Sequence, residues 1–108
     1  LAPAYLYNKS HVSIVAERLT QGNSTINALV YQDMRKIGFD SSTGLKKLKA
    51  PVLIIQGRED LVDRKNAETA MNVLENSSLV ILNNSGHYGW LDQPKKYFKS
   101  INAFLAKL

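Results

Sequence analysis

Two unbroken apolar runs constrain the fold of this chain more than any other feature. The first, residues 52–55, lies between Pro51 and Gly57, and the second, residues 79–82, follows a polar break. Short apolar runs bounded by turn residues are typical of strands that are buried on both faces, and such strands belong to parallel sheets. The sequence therefore predicts an α/β fold containing two parallel strands.

Helical patterns follow each of the two runs. Residues 63–74 begin with Asp63 or Arg64 and carry apolar side chains at helical spacing, so strand, helix and strand form a βαβ unit with a right-handed crossover. A last helix is predicted from Pro94, with Asp92 close enough to help at its N-terminus. Its inward face would carry Tyr97, Ile101, Phe104 and Leu105.

The residues before the first strand have a different, helical and polar-rich character. Helices are predicted over residues 11–20 and 24–37, with Ser24 as the N-cap of the second. Each carries an apolar stripe, so the pair needs a partner surface. The pattern divides the chain into a helical segment, 1–49, and a βαβα unit, 50–108.

Composition excludes several classes of function. The 108 residues include no cysteine, which removes disulfides, thiolate metal sites and a cysteine nucleophile, and with two histidines a zinc site is not expected. No apolar run is long enough to cross a membrane and no signal peptide is visible, so a soluble protein in the cytoplasm is expected. The net charge of +5 is assigned to solvated helix faces, because no nucleic-acid motif accompanies it.

The loops after the two predicted strands carry the candidate chemistry. The first loop contains Glu59, Asp60 and Asp63, and the second contains His87. Catalytic groups of an open parallel sheet gather beyond the carboxyl ends of its strands, so a carboxylate and the imidazole should meet there. A carboxylate bound to one imidazole nitrogen fixes the tautomer and stabilises the imidazolium, which is half of a system that activates a nucleophile.

These two segments resemble the last two strand-loop segments of α/β-hydrolases. The first reads Gly57-Arg58-Glu59-Asp60 and the second reads Gly86-His87-Tyr88-Gly89-Trp90, similar to the Gly-x-x-Asp and Gly-His-x-x-Trp patterns of proline iminopeptidase-like hydrolases. The resemblance implies that residues 50–108 are the C-terminal βαβα part of the fold. It also implies that the preceding helices come from the end of its cap region.

The same resemblance assigns roles to single residues. Asp60 occupies the position of the triad acid and His87 that of the general base; Glu59 and Asp63 are competing acids, with solvated turn residues or, for Asp63, a helix N-cap as the alternative. His11 has no partner and is expected at the surface. Trp90 and Tyr88 are candidates for lining a substrate pocket, although aromatic residues beside a turn equally serve as packing anchors. Gly89 departs from the bulkier residue usual in the family.

The chain contains no recognisable nucleophile. A Gly-x-Ser-x-Gly turn is absent, and Ser85 lies on the same loop as His87, where attack is geometrically awkward. We therefore expect a fragment of a serine-type hydrolase of the aminopeptidase, esterase or amidase kind, inactive alone and needing no cofactor. Its partners would be a small-molecule or peptide substrate and either a second copy or a missing N-terminal half that covers the edge of the first strand. The alternative is a non-catalytic binding or assembly module.

Overall fold

The sheet of the chain consists of two parallel strands, as the sequence predicts. A computed structural model describes residues 1–108. Strand β1 (Val52–Gly57) pairs with strand β2 (Ser77–Leu82), and the register runs from Val52 opposite Ser77 to Gly57 opposite Leu82. Both strands are two residues longer than the apolar runs that predicted them, so polar residues as well as apolar ones join the ladder.

Six α-helices and two short 3-10 turns make up the rest of the regular structure. The helices are α1 (Val12–Leu19), α2 (Ser24–Lys36), α3 (Ser42–Leu45), α4 (Arg64–Val73), α5 (Gly89–Asp92) and α6 (Pro94–Leu105), and the 3-10 turns are Ala2–Tyr5 and Lys9–His11. Helix α4 connects the two strands, and both α4 and α6 contact each strand. The predicted βαβα order is therefore confirmed. None of the helices has the length and the apolar run that crossing a membrane requires.

The N-cap of helix α2 lies one residue earlier than predicted. Asn23 has an extended backbone, and its side-chain oxygen accepts a hydrogen bond from the backbone N–H of Ile26, 3.0 Å away. Ser24 is already the first helical residue, so its assignment as the N-cap was wrong. The apolar stripe of α2 is largely exposed in this chain, and Leu29 and Val30 are more than half exposed.

The strands are less buried than the sequence predicts. Residues 52–55 of β1 and 79–81 of β2 are half-buried, so the prediction of strands covered on both faces was wrong for this chain. The sheet stops at two strands, and an open groove separates part of β1 from α6. Each strand consequently lacks a neighbour along one edge and part of its cover on one face.

A buried cluster joins the beginning of the chain to the loop after β2. Its members are Ala2, Leu6, Val15 and Tyr88, with Tyr5, Val12 and Leu91 packed against it. Val15 of α1 is completely buried. Sequence reasoning did not predict the 3-10 turn at residues 2–5 or its packing here. The N-terminal residues therefore lie beside the loop that carries His87.

Candidate functional site

The Asp60 carboxylate and the His87 imidazole are in hydrogen-bond contact at the carboxyl ends of the two strands. Nδ1 of His87 lies 3.0 Å from Oδ2 of Asp60 and 3.2 Å from Oδ1. The Asp60 side chain is 6% exposed, whereas that of His87 is 45% exposed. With the proton on Nδ1, the ring donates to a shielded carboxylate and keeps its Nε2 lone pair available.

Backbone hydrogen bonds continue the sheet into both loops and hold them side by side. The N–H of Arg58 donates to the carbonyl of Leu82, and the N–H of Glu59 donates to the carbonyl of Ser85, each at 2.9 Å. Gly57 makes this close approach possible, because a Cβ atom there would lie 2.1 Å from the carbonyl oxygen of Gly86. The glycine that begins the Gly-x-x-Asp motif is thus a steric requirement of the site.

The acid loop, residues 58–63 between β1 and α4, is further fixed by hydrogen bonds to its own backbone. Oδ1 of Asp60 accepts a hydrogen bond from the N–H of Val62 at 2.9 Å, and the buried Gln56 donates its amide to the carbonyl of Val62 at 3.2 Å. One oxygen of Asp60 is therefore tied to its own loop, and the other lies nearest the imidazole. This arrangement fixes the carboxylate relative to the ring before any substrate binds.

The two competing acids have other partners. Oε2 of Glu59 accepts from the N–H of Ser85 at 2.9 Å, and Asp63 caps α4 by accepting from the N–H of Lys65 at 2.9 Å. The N-cap alternative for Asp63 is therefore present in the structure. Of the three acids in this loop, Asp60 is the one that contacts His87.

The histidine loop, residues 83–88 between β2 and α5, is also held by hydrogen bonds. The N–H of His87 donates to the carbonyl of Tyr5 at 2.8 Å. Ser85 is completely buried, and its hydroxyl donates to the carbonyl oxygen of Gly86 at 3.3 Å. A substrate cannot reach a buried hydroxyl, so the structure does not favour Ser85 as a nucleophile. His11, the other histidine, is half-buried in the second 3-10 turn and forms no hydrogen bond with a carboxylate.

A groove of about 470 Å³ runs from the His87 imidazole along the sheet. It is lined by strand residues such as Leu53 and Ile55, by residues of α6 such as Tyr97 and Phe104, and by Trp90, which is 38% exposed. Tyr88 does not line this groove; it is buried in the N-terminal cluster and has the position of a packing anchor. The structure thus brings Trp90, but not Tyr88, to the open space beside His87.

Asp92 makes contacts that the sequence did not reveal. It was expected to help at the start of α6, but the N-cap of α6 is Gln93, which makes no side-chain cap hydrogen bond. The Asp92 carboxylate instead accepts from the backbone N–H groups of Tyr7, Asn8 and Gly86. An acidic residue two positions before a proline is typical of the start of a helix, which explains the wrong prediction. The hydrogen-bond partners of Asp92 lie as far as 85 residues away along the chain.

The structure offers no cluster of three or more His, Cys, Asp or Glu side chains that could hold a metal ion. The two groups in contact at the site are one carboxylate and one imidazole. Such a pair can accept a proton at Nε2 from a hydroxyl or water placed in the groove and can return it to a leaving group.

Comparison with known proteins connects this geometry to hydrolases. No family model matches the chain. A Pseudomonas syringae pv. syringae (strain B728a) protein assigned as the carbamate hydrolase RutD is 33% identical over 69 residues, which cover 63% of this chain and 27% of that protein. The chain thus spans about a quarter of the length of this curated relative.

Solved structures with the same architecture cover nearly the whole chain. The 2-hydroxy-6-oxo-6-phenylhexa-2,4-dienoate hydrolase BphD of Rhodococcus sp. strain RHA1 superimposes with a TM-score of 0.74 at 18% identity, covering 98% of this chain and 42% of that structure. An α/β-hydrolase from the sediment metagenome of the Mar Chica lagoon in Morocco gives 0.66 at 23% identity, covering 86% and 44%. Together with the order β1, acid loop, α4, β2, histidine loop and α6, these likenesses show that the chain has the fold of the C-terminal part of an α/β-hydrolase.

Proposed function

We propose that this chain supplies the acid and the general base of a serine-type α/β-hydrolase. The observation that carries the proposal is the 3.0 Å hydrogen bond between Nδ1 of His87 and the shielded carboxylate of Asp60. In this role Nε2 of His87 takes the proton of an attacking serine hydroxyl and later gives it to the leaving group. Asp60 holds the required tautomer and stabilises the imidazolium that forms between the two steps.

The serine itself would come from outside these 108 residues. The sequence contains no Gly-x-Ser-x-Gly turn, and Ser85 is buried with its hydroxyl near a neighbouring carbonyl. An oxyanion hole, which uses the backbone N–H next to the nucleophile, would be missing with it. We therefore expect the chain alone to be inactive, because loss of the serine typically lowers turnover by about 10⁶-fold.

The proposed reaction is acyl transfer to water, with an amide or ester carbonyl as the substrate group. The likeness to a protein assigned as a carbamate hydrolase supports a carbonyl bonded to nitrogen or oxygen. A proline iminopeptidase-like aminopeptidase is the narrower proposal, and it rests on the Gly-x-x-Asp and Gly-His-x-x-Trp motifs. Trp90 would then form one wall for the substrate, since it borders the groove beside His87.

A partner surface belongs to the same proposal. Strand β1 has a strand neighbour on one side alone, and its residues 52–55 are apolar and half-buried. An unpaired apolar edge favours pairing with another chain or segment, so the proposed partner is a second copy or a nucleophile-bearing half. Sedimentation velocity at micromolar concentration tests the first case: a dimer supports self-pairing, and a monodisperse monomer contradicts it.

The coding sequence upstream of Leu1 provides the first test of the catalytic proposal. A Gly-x-Ser-x-Gly motif in the same reading frame supports the hydrolase. A reading frame without it contradicts the proposal and favours a non-catalytic binding or assembly module.

Variants of the protein encoded by that reading frame test the roles of single residues. With p-nitrophenyl esters and prolyl p-nitroanilide as substrates, Asp60→Asn should lower turnover by about 10⁴-fold and His87→Ala by about 10⁶-fold. Asp63→Asn is the matched control, because Asp63 lies in the same loop but caps α4. Loss of turnover in Asp63→Asn with full activity in Asp60→Asn would reverse the assignment of the acid.

A further inference from the structure

One carboxylate joins two distant parts of the chain beside the candidate base. Oδ2 of Asp92 accepts from the N–H of Tyr7 at 2.9 Å and from the N–H of Gly86 at 2.8 Å, and Oδ1 accepts from the N–H of Asn8 at 2.8 Å. Hydrogen bonds to an ionised acceptor are stronger than those between neutral groups. Asp92 therefore ties the residues after the first 3-10 turn to the residue that precedes His87.

A second contact between the same two segments lies next to it. The N–H of His87 donates to the carbonyl of Tyr5 at 2.8 Å, and the Tyr5 ring meets the imidazole edge-on with centroids 5.6 Å apart. A Cβ atom at Gly86 would lie 2.5 Å from that carbonyl oxygen, so the backbones pack directly on one another. The backbone N–H groups of Gly86 and His87 are thus both held by this arrangement.

We propose that Asp92 is a positioning residue for His87. By fixing Gly86 and the segment from Tyr5 to Asn8 together, it keeps the imidazole within hydrogen-bond distance of Asp60. The role rests on the proposed function, because positioning matters for catalysis only if His87 is the general base. Misplacement of a catalytic group by about 1 Å can cost about 100-fold in rate, so a fixed backbone at this point has a direct chemical use.

The geometry requires a carboxylate rather than another polar group. Three N–H donors converge on Asp92, and an ionised carboxylate has about four lone-pair sites and no hydrogen of its own. The amide of asparagine would direct its NH₂ group at one or two of these donors and leave them unpaired. Unpaired backbone donors are costly, so the two segments should separate in Asp92→Asn.

The test compares Asp92→Asn with wild type in the full 108-residue chain by NMR. At about pH 8.5, where an ordinary imidazole is neutral, ring ¹⁵N shifts report which nitrogen of His87 carries the proton. Asp92→Asn should lose the preference for the Nδ1–H tautomer and should exchange the Gly86 amide hydrogen about tenfold faster. Asp92→Glu, which keeps the carboxylate, should recover part of both signals.

The matched control is Asp40→Asn. Asp40 also accepts a backbone N–H through its carboxylate, from Ser42 at 2.8 Å, but in the exposed segment before α3. It should leave the ring shifts of His87 and the Gly86 exchange unchanged. An Asp92→Asn chain that stays folded, by circular dichroism, and keeps the wild-type tautomer of His87 would overturn the proposal and leave Asp92 a merely structural tether.

Amide hydrogen exchange of the wild-type chain tests the proposal if Asp92→Asn does not fold. The amides of Tyr7, Asn8 and Gly86 share one acceptor residue, so their hydrogens should be protected together, with protection factors within about threefold. Free exchange at Tyr7 and Asn8 beside a protected Gly86 would contradict the proposal. None of these signals depends on turnover. The turnover of His87→Ala therefore tests the proposed function separately: loss of activity supports that function, and full activity contradicts it.

Discussion

Gly57 offers the sharpest test of how the two site loops are held together. In Gly57→Ala the new Cβ would lie 2.1 Å from the carbonyl oxygen of Gly86 and 2.3 Å from that of Ser85. Real Cβ contacts are essentially never shorter than 3.0 Å, so the histidine loop must move by about 0.9 Å. Both obstructing atoms belong to the backbone, and no side chain can rotate out of the way.

The displacement has a cost that can be worked out from the structure. A 2.9 Å hydrogen bond from the N–H of Glu59 to the carbonyl of Ser85 would stretch beyond bonding distance, which costs about 1 kcal/mol. Crowding in a packed site costs about 2 kcal/mol more. Alanine also lowers the conformational entropy of the unfolded chain, which stabilises the folded protein by about 1 kcal/mol. The expected decrease in the free energy of unfolding of Gly57→Ala is therefore about 2 kcal/mol.

Urea denaturation followed by fluorescence measures this decrease. Trp90 is the single tryptophan, and it contacts the rings of Tyr88 and Tyr97, so its emission reports on the packing next to the site. Gly44→Ala is the control, since a Cβ there meets nothing within 4 Å in the short helix α3, and it should stabilise by up to about 1 kcal/mol. A Gly57→Ala variant within about 0.5 kcal/mol of wild type would refute the account of the loop contact.

Further predictions concern the core and the helix starts. Val15→Ala should lower the free energy of unfolding by about 2 kcal/mol in urea denaturation because Val15 is fully buried, whereas the exposed Val30→Ala should change it by less than about 0.5 kcal/mol. Hydrogen bonds from the side chain and the backbone N–H of Ser42 hold the pKa of Asp40 below its ordinary value. The stabilisation from Asp40 is therefore present above the unfolded-state pKa and is lost as the pH falls through the folded-state pKa. Ser42→Ala should raise the pKa of Asp40 in a ¹³C NMR titration; an unchanged pKa would contradict this cause.

Local sequence patterns predict the elements nearest the sheet. Two local signals suffice for these elements: the apolar runs of β1 and β2 and the proline at the start of α6. Each determines the backbone structure of the few residues around it, so the element can be predicted from the sequence alone. The burial of the strands could not be read in the same way. It depends on what covers the sheet, and in this chain part of that cover is an open groove.

Contacts between distant residues set the limit of prediction at the site. The meeting of Asp60 and His87 follows from strand order, because the carboxyl ends of neighbouring parallel strands lie at one edge. The partners of Asp92 do not follow from any local rule, since Tyr7 and Asn8 lie in an irregular segment whose path is fixed by the packing of Leu6 and Tyr88. The sequence showed a carboxylate before a proline, and the fold gave it a different use.

The carbethoxylation rate of His87 tests the central claim most directly. Diethyl pyrocarbonate attacks a neutral imidazole nitrogen, and mass spectrometry distinguishes His87 from His11 in the same sample. At about pH 8.5, the fixed Nδ1–H tautomer should make His87 react severalfold faster in wild type than in Asp60→Asn, with His11 unchanged in both. Equal rates for His87 in the two proteins would contradict the claim that Asp60 and His87 work as an acid and base pair.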